Sequence, residues 1–437
     1  MIKKLCLVFI VFLALNAHSQ EGTTSPYSFY GIGSLKFKGT TENRSMGGLS
    51  IYTDSIHVNL RNPASYAGNN IKIAPFNGEG RPIKFALGES SSSVRLKSNS
   101  SSARAGSATF DYMVLAVPLG KFGMGFGLLP FTSVGYKLES TNSEDVLTHR
   151  FRGEGGVNIA FLGLGYQITK DLSIGVNAKY NFGNIKNNAI KFVYDDEGNP
   201  LQFQSRETNR SDLSGLNYDI GLSFNPMITD KLQLTTAFTF SPSADLISNN
   251  ERVFATITLN QTSGLEFVIN EIVADLEAEG LKKTTLTLPT KTAFGLGIGQ
   301  PHQWFVGAEY TLLKTSEFSN RVFNIDNTTF VDATTISIGG FYIPQYNSFN
   351  KYFKRIVYRA GVRFEETGLK INNESINEFG ISFGIGLPIG RYFSNANLGI
   401  EIGKRGTTNQ NLVEENFINF QISLSLTDRW FVKRKYD

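Results

Sequence analysis

Cysteine is almost absent: the 437 residues contain one, Cys6, alongside two Trp and four His, and charged residues make up only 18%. A single thiol excludes a disulfide scaffold and any cysteine-built metal or iron–sulfur centre. Past the first twenty residues there is no apolar run of the roughly 20 residues that a membrane-crossing helix needs, which excludes a helical bundle in the bilayer. The formal net charge is only +4 and the Lys and Arg are scattered, so there is no electrostatic footprint for nucleic acid. His57, His149 and His302 lie far apart without a ligand-like spacing, and neither a metal nor another cofactor is expected. What is present is small and aromatic: 43 Gly, 35 Phe and 17 Tyr in a chain that is 41% hydrophobic, a composition that excludes intrinsic disorder.

The first twenty residues, MIKKLCLVFIVFLALNAHSQ, read as a secretory signal. Lys3 and Lys4 form a basic start, Leu5 to Leu15 an apolar core, and Ala17-His18-Ser19 a small-residue cleavage site, giving a signal peptide over 1–19. Its removal takes away Cys6 and two positive charges, leaving a mature chain without thiols.

Downstream, hydrophobicity alternates with period two. In Asp171 to Tyr180, Leu172, Ile174, Val176, Ala178 and Tyr180 share one face while Ser173, Gly175, Asn177 and Lys179 share the other. The pattern recurs at Phe122 to Leu128, Leu232 to Phe240, Phe294 to Ile298 and Ile418 to Leu426. Alternation alone fits a soluble sandwich or a membrane barrel. Link lengths favour the barrel. From a first strand near Pro82 to Lys97, tight links at Leu119 to Lys121, Thr169 to Asp171, Thr229-Asp230, Gln300 to Gln303, Tyr346 to Lys351 and Arg391 to Asn395 alternate with longer ones. The longer links are Ser98 to Ala103, Ser140 to Glu144, Asp195 to Pro200, Ser241 to Lys283, Lys314 to Thr329, Glu365 to Ser375 and Arg405 to Asn411. Short periplasmic turns alternating with longer external loops predict an all-β, antiparallel transmembrane barrel of about 14 strands over 70–427. A lumen of that width needs a filling, and the Gly-punctuated, non-alternating stretch 20–69 is expected to be an N-terminal hatch. Residues 428–437, rich in Lys, Arg and aromatics, are expected to form a periplasmic C-terminal tail.

Within that stretch stand Met46-Gly47-Gly48, Asp54-Ser55 and Asn62-Pro63-Ala64. These residues resemble the hatch of the OmpP1/FadL/TodX outer-membrane transport family, whose members carry an Asn-Pro-Ala signature there. Gly155-Gly156-Val157-Asn158 with Gly165-Tyr166, Leu172 to Asn177, and Leu288-Pro289-Thr290 followed by Trp304 to Tyr310 are similar to the family's strands. The continuation past the last strand, Ile381 to Leu387 and Gly403-Lys404-Arg405-Gly406 look more like Bacteroidota-type barrels than like an enterobacterial fatty-acid channel. The tripeptide itself reads equally as a Pro-fixed turn leading into the first strand.

The resemblance implies passive uptake of a hydrophobic, fatty-acid-like molecule across the outer membrane. External loops would capture it, the hatch would hold it, and a kinked strand would release it. Three candidate parts follow. The hatch motif is Gly47, Gly48, Asp54, Asn62, Pro63 and Ala64. The kink is Pro130 with Gly135, since Pro removes a ladder hydrogen bond. The capture element is an amphipathic helix in Ser263 to Lys283, with Leu265, Val268, Ile269, Ile272, Val273 and Leu276 at helical spacing. The alternative is a non-transporting accessory or scaffold barrel of an outer-membrane secretion or protein-assembly complex, with outer-membrane proteins as partners. Under either reading the chain lives in outer-membrane lipid and is not an enzyme. Gly380-Ile381-Ser382-Phe383-Gly384 matches a nucleophile elbow in letters, yet it alternates as a strand with no helix after it.

Overall fold

The computed structural model describes residues 22–54, 56–68, 82–142, 144, 146–260, 264–320, 327–389 and 394–428. The expected signal peptide (1–19) and residues 429–437 of the expected tail lie outside the described residues.

Fourteen antiparallel strands close into a barrel. The first six are β1 (Ile83–Lys97), β2 (Ser102–Leu119), β3 (Phe122–Thr141), β4 (Leu147–Gln167), β5 (Leu172–Lys191) and β6 (Gln204–Phe224). Two interrupted strands follow: β7 (Gln233–Ser241 and Ala244–Leu259) and β8 (Lys283–Leu288 and Lys291–Gln300). The circuit continues with β9 (Trp304–Leu313), β10 (Ala333–Tyr342), β11 (Val357–Ile371), β12 (Glu374–Ile389), β13 (Ser394–Arg405) and β14 (Glu414–Asp428). Pairing of β14 with β1, from Ile83 opposite Asp428 to Lys97 opposite Glu414, closes the ring of strands.

The side-chain pattern is inside-out. On β5, Val176, Tyr180 and Phe182 are exposed on the outer face, while Asn177 and Asn181 are buried within. Outward Phe294, Val306, Ile338, Phe383 and Phe420 continue the same apolar band on β8 to β14. The wall is lopsided: β3 to β6 run 20 or 21 residues, about twice what a crossing takes, whereas β9 and β10 run 10.

Three expected links differ. The helix expected in the Ser241 to Lys283 loop is instead a strand: β7 continues through Ala244–Leu259, and Glu266–Val273 folds back on its upper part. Val268, Ile269, Ile272 and Val273 are β-branched, and the paired extension of β7 offers them a ladder that their helical spacing cannot reveal. Leu265 and those four residues are exposed, whereas Leu276 is buried beyond the strand. The link expected over Glu365 to Ser375 is a tight turn at Asn372-Asn373, both with positive φ (50° and 64°), the conformation that two-residue hairpins demand. The link expected as short at Tyr346 to Lys351 is part of a longer connection from Ile343 to Ile356, carrying a 3-10 turn at Tyr352–Arg355.

Candidate functional site

Residues 22–68 meet inward-facing groups on nearly every strand. Their local structure is short: 3-10 turns at Pro26–Phe29 and Pro63–Tyr66, a two-residue strand Ser34–Leu35, and one helical turn Thr41–Arg44 closed by a Thr40–Asn43 capping box. Gly47 and Gly48 follow that turn with φ of 70° and 90°, which lets the chain reverse against the wall. There the Gly47 N–H donates to Ser382 Oγ at 2.9 Å.

The Asn62-Pro63-Ala64 tripeptide forms a capped turn. Asn62 Oδ1 accepts from the Ala64 N–H (3.0 Å), Pro63 occupies a first-turn position, and Asn62 Nδ2 donates to the Leu222 carbonyl on β6 (3.0 Å). Gly165 on β4 and Gly175 on β5 make room for it, since a Cβ on either would overlap the backbone at Pro63 and Ala64 or its neighbours. Asp54 accepts from the Ile56 N–H (2.8 Å) and the His57 N–H (2.6 Å), and its second oxygen lies 2.6 Å from His57 Nδ1. Burial pushes the Asp54 carboxyl up, but charge and hydrogen bonding from His57, with Lys84 nearby, hold it below the usual carboxylate range. Lys84 itself donates to the Asp54 and His57 carbonyls.

The lumen has two halves of opposite chemistry. Along β3 to β8, Val134, Tyr136, Val157, Ile185, Leu213, Leu246 and Leu286 form one buried cluster, and Ile32 of the N-terminal segment packs into it. Along β11 to β14 with β2 the wall is ionic. Arg363 donates to Glu378 and Glu401 (2.6 Å each) and pairs with Glu365. The N-terminal segment enters this network: Lys38 contacts Glu365 (3.0 Å) and Glu378 (2.7 Å), and Arg44 contacts Asp111 (3.3 Å) and Glu401 (3.4 Å). Glu42 accepts from Asn397 Nδ2 (2.6 Å), Ser423 and Ser425. Nearby, Arg61 meets Glu309 (2.6 Å), whose other oxygen accepts from Ser50.

The β2–β3 seam is open over much of its height. The two strands pair only from Met113–Leu128 to Leu119–Phe122, although each pairs with its other neighbour well beyond that point. Pro130 stands where the opening begins, and the β3–β4 register slips beside it at Phe131. The N-terminal segment takes up part of the freed edge: Ser34 and Leu35 pair with Ser133 and Thr132, and the Lys36 N–H donates to the Phe131 carbonyl at 2.9 Å. Gly135 lies against the Thr23 backbone and donates its N–H to Ser28 Oγ at 3.1 Å.

The expected hatch-motif residues thus lie together on one segment, and Pro130 and Gly135 lie where that segment meets β3. The exposed apolar strand Glu266–Val273 stands apart from them on the extension of β7. The sequence reading did not single out Arg44, Arg363, Glu378 or Glu401. Their signal was parity: on β12, Glu378 and Ser382 are buried where Phe379, Ile381 and Phe383 are exposed, so a charge on the polar face of an outward-greasy strand points inward. Among the described residues no group of three or more His, Cys, Asp or Glu is placed to hold a metal ion.

Among solved structures the fold is similar to that of the Ralstonia pickettii toluene transporter TbuX, with a TM-score of 0.58, 14% identity and coverage of 91% of this chain and 100% of that one. The Pseudomonas putida toluene transporter TodX gives 0.57 at 17% identity, covering 90% and 99%. A Pseudomonas aeruginosa FadL homologue gives 0.54 at 12%, covering 90% and 99%. These neighbours are channels and transporters of the outer-membrane FadL type rather than enzymes, and at such identities they establish the fold alone. No curated protein matches the chain. One family model, BamG, matches residues 1–437, and the chain therefore belongs to the BamG family.

Proposed function

We propose that this barrel is an accessory subunit of an outer-membrane secretion or protein-assembly complex, and that residues 20–69 act as a fixed hatch rather than a gate. The observation that carries this reading is the ionic seat of the hatch: Arg44 and Lys38 reach Asp111, Glu365, Glu378 and Glu401 inside the lumen. A hydrophobic solute passing there would have to part buried charges, and stripping one partner from a buried pair costs about 3–5 kcal/mol. Membership of the BamG family supports the same reading.

The open β2–β3 seam beside Pro130 favours a second reading, lateral release of a hydrophobic molecule as the OmpP1/FadL/TodX resemblance implies. Two measurements decide between them. Mild-detergent purification after chemical cross-linking should recover a stoichiometric outer-membrane protein partner, and proteoliposomes should accumulate a labelled aromatic hydrocarbon or fatty acid no faster than empty liposomes. Solitary purification together with facilitated uptake would reverse the assignment.

A further inference from the structure

The outer wall over β9 to β14 carries a depression among Val306, Ile338, Tyr342, Tyr358, Phe383 and Phe420. Small residues line the inner side of the same stretch. Gly339, Gly361, Gly384 and Gly399 face inward, and a Cβ on any of them would overlap the Met46 backbone or the Ser45 side chain. The wall thus lies directly against the turn at Ser45 and Met46. On the lipid side of the same stretch is a groove of ≈930 Å³, within the roughly 300–1,000 Å³ range of small-molecule sites. Gly340 and Ala360, directly paired, floor it, and exposed Val306, Tyr342, Tyr358 and Phe383 rim it.

The groove continues into the connection below. Tyr358 Oη donates to the Phe353 carbonyl (3.4 Å) and Tyr352 Oη to the Pro388 carbonyl (3.1 Å), so the turn Tyr352–Arg355 is tied to the outward side of the wall. That turn and the residue before it carry Lys351, Lys354 and Arg355, with no acidic residue between Ile343 and Ile356. Arg355 lies 5.3 Å from the Tyr352 ring, and its buried Nε has no hydrogen-bond partner among the described residues. Phe349 is 98% and Phe353 75% exposed, and exposed aromatic side chains beside a lipid-facing wall favour the membrane interface.

We propose that this face holds one phospholipid of the periplasmic leaflet, with its phosphate on Lys351, Lys354 and Arg355 and an acyl chain in the Gly340–Ala360 groove. Cations beside an apolar slot that opens onto the hydrocarbon match an anionic headgroup joined to a hydrocarbon chain. Lipid is also the solvent on this side of the wall.

The test uses the full-length protein extracted from outer membranes in mild detergent and examined by native mass spectrometry, then again after delipidation and exposure to phosphatidylglycerol vesicles. One retained phospholipid is expected. A variant combining Lys351→Ala, Lys354→Ala and Arg355→Ala, and separately Ala360→Phe, should each lower retention about tenfold or more while heat-modifiable mobility stays unchanged. Ala360→Leu gives the same readout should the larger ring hinder insertion. Equal retention in wild type and variants, a lipid-free wild type, or a photo-cross-linker at Phe349 that labels protein instead of lipid would each overturn the proposal.

Discussion

The two halves of the lumen hold the same N-terminal segment by different physics. Against β3 to β8 it presents Ile32 and Phe29 to an aliphatic and aromatic cluster. Such contacts are non-directional, and they tolerate small shifts at the cost of some packed area. Against β11 to β14 it offers Lys38, Glu42 and Arg44 to fixed partners. Those contacts hold one geometry or leave buried charge exposed to a low dielectric. The apolar half supplies adhesion and the ionic half supplies position. A hatch that had to move in each transport cycle would be poorly served by the second kind of contact.

The comparison can be broken most severely by removing the segment. A variant lacking Ser25 to Gly68 is expected to insert and to conduct ions in a planar bilayer, because neither half then has a filling; insertion with an intact-like seal would show that the segment is no plug. Next in size, Arg363→Ala takes the shared cation from Glu365, Glu378 and Glu401, leaving them to Lys38 and Arg44, and should destabilise by about 3–5 kcal/mol, with protease cleavage within 25–68 as its signature. Leu246→Ala in the apolar half, at a position with no exposure, should cost about 2–5 kcal/mol by leaving a cavity, yet keep the hatch protected from protease. If both variants release the hatch equally, the division of labour between the halves fails.

The smallest effect concerns acid. Asp54 is held below the ordinary carboxylate range, so its contribution is complete above the unfolded value of about 3.9 and is lost only as pH falls through the folded value. The advantage of wild type over Asp54→Asn in thermal stability should therefore shrink as pH falls from about 4 towards about 2; an advantage that stays constant down to about pH 2 would contradict the assignment.

The barrel was legible because its signal is one-dimensional. Outward Val176 and Tyr180 alternate with inward Asn177 and Asn181 along a straight strand, and a two-residue period survives without any tertiary knowledge. The run Leu265 to Leu276 was misread because its apolar pairs satisfy a helical stripe as well as a strand, and only the extension of β7 beside it decides. Asn372-Asn373 went unnoticed as a turn because Asn reaches positive φ without the Gly that usually advertises it. Asn62-Pro63-Ala64 stands out in letters, but the partners of the N-terminal segment that carries it do not. Arg44 and Glu401 are 357 residues apart, and no local pattern links a residue of a short helical turn to one on the penultimate strand.

That separation governs how the molecule comes together. The first part of the described chain binds the last strands made, with Lys38 bonded to Glu378 across 340 positions and Glu42 to Ser425 across 383. Such non-local pairings are slow to form, since the long intervening chain must be ordered before they are rewarded. Residues 22–68 therefore have no finished binding surface until β11 to β14 arrive. Ring closure between β14 and β1 and seating of the N-terminal segment then become a single late event, and an assembly intermediate with its edges still open should carry that segment unprotected.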